Sequence, residues 1–129
     1  MANGQTITDN GMKIVLNRTF KETPDYTAPT QFKTGTGTTT PAVGDTDVET
    51  ELTSGKDFVS SYPTLDETNF QATIRGILNT TEGNGSSITE WGTFNEDGTP
   101  LMFSHTVFTA ISKTSSVQIT FIQKDKFVS

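Results

Sequence analysis

His105 is the first residue to consider for chemistry, because it is the only histidine in the chain. It lies between Ser104 and Thr106, and a hydrolytic triad needs a hydroxyl nucleophile, a histidine and a carboxylate brought together. The sequence contains no Gly-x-Ser-x-Gly motif, the turn that presents the nucleophilic serine in one large class of hydrolases. We therefore predict a structural or surface role for His105, no catalytic residues and no enzymatic activity.

A cluster of acidic side chains between positions 45 and 51 carries the oxygen ligands that calcium prefers: Asp45, Asp47, Glu49 and Glu51. An EF-hand loop also needs a central glycine and a terminal bidentate glutamate between two helices. The cluster has neither that glycine nor flanking helical segments. The pattern favours a solvated acidic edge strand or an extended arm, and we expect no metal and no cofactor.

Two further features could bind a ligand. The Gly35-Thr36-Gly37 motif lacks the following lysine of a phosphate-binding loop, so it predicts a bend. A lone strand tryptophan such as Trp91 more often packs in a core or subunit interface than it forms a sugar platform. We expect the core or interface anchors to be four aromatic residues: Trp91, Phe94, Phe103 and Phe108. The alternative is a receptor- or carbohydrate-binding module that uses Trp91 or Tyr62.

The composition narrows the remaining functions. The 129 residues match one ordinary domain, so we expect a single β-rich domain over 1–129. The formal net charge of −6 disfavours a nucleic-acid partner, because that affinity comes mainly from lysine and arginine. No apolar stretch approaches the roughly 20 residues of a membrane span, and the polar N-terminus predicts cytoplasmic synthesis without a secretory signal. Only 31% of residues are apolar, which favours a domain that covers part of its apolar surface with copies of itself or neighbours.

The elements that position these residues are mostly strands. Alternating apolar residues and polar turns predict strands over 31–34, 70–78, 88–94, 100–108 and 117–124, with turns at 54–56 and 95–98. We therefore expect a mainly β fold: an antiparallel β-sandwich or open barrel with a short N-terminal helix.

The N-terminal segment predicts the helix and its orientation. Thr8, Asp9 or Asn10 can cap it, and Met12, Leu16 and Phe20 recur at helical spacing on one face. That face is expected to dock onto the domain. Residues 1–10 are expected to form a flexible N-terminal arm.

Two segments resemble known proteins when taken together. In 32–49, a strand ends in the Gly35-Thr36-Gly37 bend and is followed by a loop with Pro41 and by Asp45-Thr46-Asp47-Val48. In 88–105, Glu90-Trp91-Gly92-Thr93-Phe94 precedes a short Asp-Gly turn and a returning apolar strand. This order and spacing, over roughly 30–124, resembles bacteriophage tail-fibre and baseplate-associated proteins.

The resemblance implies a virion structural protein, made in the host cytoplasm, of the kind that mounts a fibre on the particle. The chain ends at Ser129 without a long shaft, so we expect the mounting module alone: a short fibre, a collar or neck protein, a baseplate piece or a capsid decoration protein. We expect a symmetric homo-oligomer, a trimer or hexamer, with other virion proteins as partners.

Overall fold

The computed structural model describes residues 5–128, which form one helix and eight strands. The helix is α1 (Asp9–Phe20). The strands are β1 (Gln5–Ile7), β2 (Gln31–Gly35), β3 (Glu51–Asp57), β4 (Thr64–Asp66), β5 (Gln71–Leu78), β6 (Ser86–Phe94), β7 (Met102–Lys113) and β8 (Ile119–Lys126).

The strands form two antiparallel sheets. The larger sheet has the order β1-β7-β6-β2-β3, and the smaller sheet has the order β4-β5-β8. The predicted mainly β fold with a short N-terminal helix is confirmed. The two sheets make a sandwich-like structure, whereas a closed barrel would need a continuous ring of paired strands.

The main core lies between the two sheets and is dominated by aromatic rings. Trp91 on β6 stacks on Phe121 of β8, with ring centroids 5.1 Å apart. Phe32 on β2 lies 5.4 Å from Trp91 and covers Gly76 of β5, where a β-carbon would overlap the ring. Because glycine has no side chain, the aromatic ring fills the space that β5 leaves open.

A buried polar chain joins the sheets beside these rings. The indole Nε1 of Trp91 donates to Oε1 of Gln123 at 2.8 Å. Nε2 of Gln123 donates to Oγ of Ser104 at 3.0 Å. Burying such groups is tolerated because each finds a partner.

The four predicted anchors occupy three environments. Trp91 and Phe94 are buried, in the main core and in a smaller cluster with Val48 and Met102 respectively. Phe108 is half-buried against the main core, and Phe103 is half-buried in an open groove described below.

Helix α1 begins as predicted but docks through a different face. Thr8 is the N-cap, and its Oγ1 accepts from the Gly11 amide at 3.0 Å. Gly11 and Ile14 are the buried residues, and Gly11 lies so close to the Phe103 carbonyl that a β-carbon would overlap it. The prediction that Met12, Leu16 and Phe20 dock onto the domain is therefore wrong. Their exposed fractions are 61%, 63% and 81%.

Other boundaries also differ from the predictions. The predicted turn at 54–56 lies inside β3, where pairing with β2 overrides its turn composition. Phe70 has a positive φ of 56° and is exposed, so the core face of β5 starts after it. Within the predicted arm over 1–10, residues 5–7 pair with β7 and residues 9–10 start α1, while 1–4 lie outside the described residues.

Helix α1, the single helix of the described residues, is too short and too polar to span a membrane.

Two substitutions in α1 test which face docks. Ile14→Ala should lower the free energy of unfolding by about 2–4 kcal/mol, because it removes a fully buried side chain. Leu16→Ala should change it by less than about 0.5 kcal/mol, because this side chain is exposed. Urea unfolding of dilute protein, followed by Trp91 fluorescence, measures both values. Equal losses would contradict this orientation of the helix.

Candidate functional site

His105 lies buried between two carboxylates. It sits on β7 opposite Gly92 of β6. Its Nδ1 is 2.7 Å from Oδ2 of Asp45, and its Nε2 is 2.8 Å from Oε1 of Glu90. Because an ionised carboxylate only accepts hydrogen bonds, an imidazolium that donates from both nitrogens satisfies both contacts.

Glu90 is the centre of this network. Its side chain is fully buried on β6, and Oε2 accepts from the amides of Gly37 at 2.6 Å and Thr50 at 2.9 Å. Oε1 accepts from the amide of Glu49 at 2.8 Å in addition to His105. A buried carboxylate is tolerated only with such partners, and these four donors supply them.

The Gly35-Thr36-Gly37 motif lets the backbone approach this carboxylate. A β-carbon on Gly35 would overlap the Glu90 carboxylate and the Thr50 carbonyl. One on Gly37 would overlap the carboxylates of Glu90 and Glu49. The predicted bend does not lie at this motif: Gly35 ends β2, and the chain bends at Thr39. The two glycines are needed because of Glu90, a contact that the motif alone does not reveal.

The acidic cluster divides into two pairs. Asp45 and Glu49 fold back onto the protein: Asp45 contacts His105, and Glu49 accepts from the amides of Thr38 and Thr39. Asp47 and Glu51 pair at the surface with Lys33, at 3.1 and 2.9 Å. The interpretation of a wholly solvated acidic edge is wrong for Asp45, which is part of the network around His105, whereas Glu49 remains exposed.

This network holds the loop 36–50 against the larger sheet. We call Asp45, Glu90 and His105 the carboxylate latch. Ser104, the adjacent hydroxyl, bonds to Thr93 and Gln123 on the core side, away from the imidazole. The imidazole is buried, and within 5–128 no set of three or more His, Asp or Glu side chains is arranged to hold a metal ion. The geometry fastens the loop 36–50 to the larger sheet.

A second candidate site is an open apolar groove. It has a volume of about 1100 Å³ and separates α1 and β1 from the smaller sheet. Its apolar lining includes Ile7, Met12, Leu65, Phe70, Phe103 and Phe127. Several of these side chains, including Leu65, Phe70 and Phe127, are largely exposed to solvent. A continuous apolar surface of this kind usually marks an interaction site.

Asp125 gives the groove a polar feature. It lies on β8 among the lining residues, and both carboxylate oxygens are 3.1 Å from Nε2 of Gln123. Burial raises the pKa of Asp125, and the Gln123 hydrogen bond offsets this only in part. Within the described chain no lysine or arginine lies within ion-pair distance of Asp125.

The exposed face of α1 continues the groove. We call Met12, Leu16 and Phe20 the α1 stripe, since the i, i+4, i+8 spacing puts them in one row along the helix. Met12 belongs to both the α1 stripe and the groove lining. The sequence detected this row correctly but predicted the wrong surroundings for it.

The chain matches no protein-family model, and comparison with curated proteins and with solved structures finds no match either.

Gly37→Ala tests the close approach of the loop to Glu90. The added methyl meets a carboxylate held by four donors, so the free energy of unfolding should fall by about 1–3 kcal/mol. Gly44→Ala is the matched control in the same loop, because nothing lies within 4 Å of its β-carbon position. Thermal unfolding of the two variants compares them. An equal effect of both substitutions would disprove the contact.

Asp45→Asn tests the carboxylate latch through pH. Burial favours a higher pKa for Asp45, but the Ala42 amide and the His105 hydrogen bond and charge outweigh it and hold the pKa below 3.8. Ionised Asp45 therefore stabilises the fold above that value, and the stabilisation is lost as the pH falls through the lower folded-state pKa.

At neutral pH, Asp45→Asn should lower the free energy of unfolding by about 2 kcal/mol, and the difference from the wild type should vanish in acid. Urea titrations across the acidic range measure this difference. Asp47→Asn is the control, because the surface pair with Lys33 contributes at most about 1 kcal/mol. A difference that stays constant down to acid pH would argue against the latch.

Proposed function

We propose that this protein is a bacteriophage virion structural subunit that assembles with copies of itself and joins one virion component to another. The observation that carries the proposal is the continuous apolar surface formed by the groove and the α1 stripe. Soluble monomers seldom leave such a surface uncovered, whereas subunits of an assembly bury it. The likeness of 30–124 to tail-fibre and baseplate-associated proteins supplies the particle as the setting.

The carboxylate latch suits a structural role. It uses the single histidine and two of the carboxylates of the chain to hold 36–50 against the larger sheet. A rigid loop lowers the entropy lost when a subunit enters an assembly. The absence of enzymatic activity remains part of this proposal.

The position within the particle follows from the same reasoning. A module of this size mounts a fibre, forms part of a collar, neck or baseplate, or decorates the capsid. A closed ring of identical subunits, a trimer or hexamer, matches the symmetry of those locations. Other virion proteins are the further partners.

The alternative of a carbohydrate- or receptor-binding module loses its main feature. Trp91 is 3% exposed, and its ring stacks on Phe121 inside the sandwich. Tyr62 is half-buried against the same core. The buried Trp91 ring presents no open face of the kind on which a sugar stacks.

The proposal predicts that the protein is a stoichiometric component of the mature particle. Mass spectrometry of gradient-purified particles should detect it at a fixed copy number, and an antibody against it should label one location. Particles produced without it should lack the component it joins. Recovery of the protein only from the unassembled fraction of infected cells would refute a virion role.

A further inference from the structure

We propose that the groove is the docking site for the α1 stripe of a second copy of this chain, with Lys13 of the incoming helix facing Asp125. This inference deepens the proposed function, on which it rests, by naming the two surfaces that meet. Three features support it: the shape of the surfaces, their apolar character and their charges.

Shape and apolarity are complementary. The α1 stripe is a convex row of three large side chains on the outer side of a helix. The groove is a concave surface lined by apolar side chains from both sheets and from α1. An amphipathic helix that lays its apolar row into an apolar groove is a recurrent mode of recognition. Both surfaces are exposed in the isolated chain, so their contact removes both from water.

The charges of the two surfaces favour a second copy of this chain as the occupant of the groove. Lys13 is exposed and is three residues from Leu16 and seven from Phe20, so helical spacing places it beside the α1 stripe. Within the described residues Lys13 has no ion-pair partner. In the groove, Asp125 likewise has only the neutral Gln123 as a partner. A lysine from outside would supply the opposite charge that this half-buried carboxylate lacks.

The other charges at the groove do not remove this preference. Asp66 and Glu67 add two acidic groups to the lining. Lys124 and Lys126 also line it, at the exposed positions of β8 on either side of the half-buried Asp125. The lining thus carries three acidic and two basic side chains, and Asp125 is the half-buried member without an ion-pair partner among the described residues.

The geometry of the contact leads to a closed assembly. The α1 stripe and the groove are different surfaces, so the contact is head-to-tail, and a head-to-tail contact forms a ring when its rotation closes. Because Met12 belongs to both surfaces, the two interfaces of one copy adjoin each other. This arrangement places the α1 helices close to the axis of a small ring.

Sedimentation of the full chain and its variants tests the docking. The stripe variant is Leu16→Glu with Phe20→Glu, the groove variant is Leu65→Glu with Phe127→Glu, and Ile122→Glu is the control on an exposed position outside both surfaces. The wild type and the control should associate equally. Each double variant should stay monomeric at concentrations at least about tenfold above the concentration at which the wild type associates. Lys13→Glu should weaken association by about tenfold.

Mixing the two double variants gives the decisive result. The intact stripe of the groove variant can enter the intact groove of the stripe variant, so an equimolar mixture should form heterodimers. The chain has no cysteine, so single cysteines report the contact directly. A short bismaleimide should link Leu16→Cys chains to Leu65→Cys chains, and should not link Ile122→Cys chains to Leu65→Cys chains.

Several outcomes would overturn the inference. One is a wild type that is monomeric at about 100 µM. Others are double variants that associate as the wild type does, or a mixture of the two that stays monomeric. The last is a cross-linker that joins Leu16→Cys chains to each other but not to Leu65→Cys chains. Unchanged association of Lys13→Glu would refute the pairing with Asp125. Unchanged emission of the buried Trp91 verifies that each variant is folded. Because these measurements use purified protein, they fail independently of the particle analysis that tests the virion role.

Discussion

The buried carboxylate of Glu90 is the interaction on which one side of the larger sheet depends. A charge inside a protein is stable only when donors replace the water it has lost. Glu90 obtains its donors from Gly37, from the consecutive amides of Glu49 and Thr50, and from His105. Both ends of the loop 36–50 are thereby tied to β6 and β7, which explains how a segment with little regular structure is held in place.

The limited interior of the sandwich also explains which side chains lie on its surface. A small sandwich uses its interior for the aromatic cluster around Phe32, Trp91 and Phe121 and for the polar chain through Gln123. Helix α1 approaches β7 through Gly11 and Ile14, a narrow contact that leaves its larger side chains in solvent. The interior is polar at Glu90 and His105 while the surface is apolar along the α1 stripe. The proposal of a subunit that assembles with copies of itself rests on this distribution.

Local patterns predicted much of the fold but little of the site. Alternation in 117–124 identified β8, because the burial of that strand alternates with period two. The strand-forming residues of 88–94 before the predicted turn at 95–98 identified β6. Within β6, however, Thr89, Glu90 and Trp91 are all buried, so alternation carried no information about the role of Glu90. The signal that was present is the position of Glu90, an acidic residue within an otherwise uncharged predicted strand.

The sequence by itself determined the β-rich antiparallel class and the short N-terminal helix with its cap among Thr8, Asp9 and Asn10, because each depends on residues close together in the chain. The tertiary structure decided which face of α1 docks, which acidic side chains are buried, and that the lone histidine joins Asp45 to Glu90. These contacts span 60 and 15 residues. They depend on how the sheets and the loop 36–50 pack, and no local spacing records that packing.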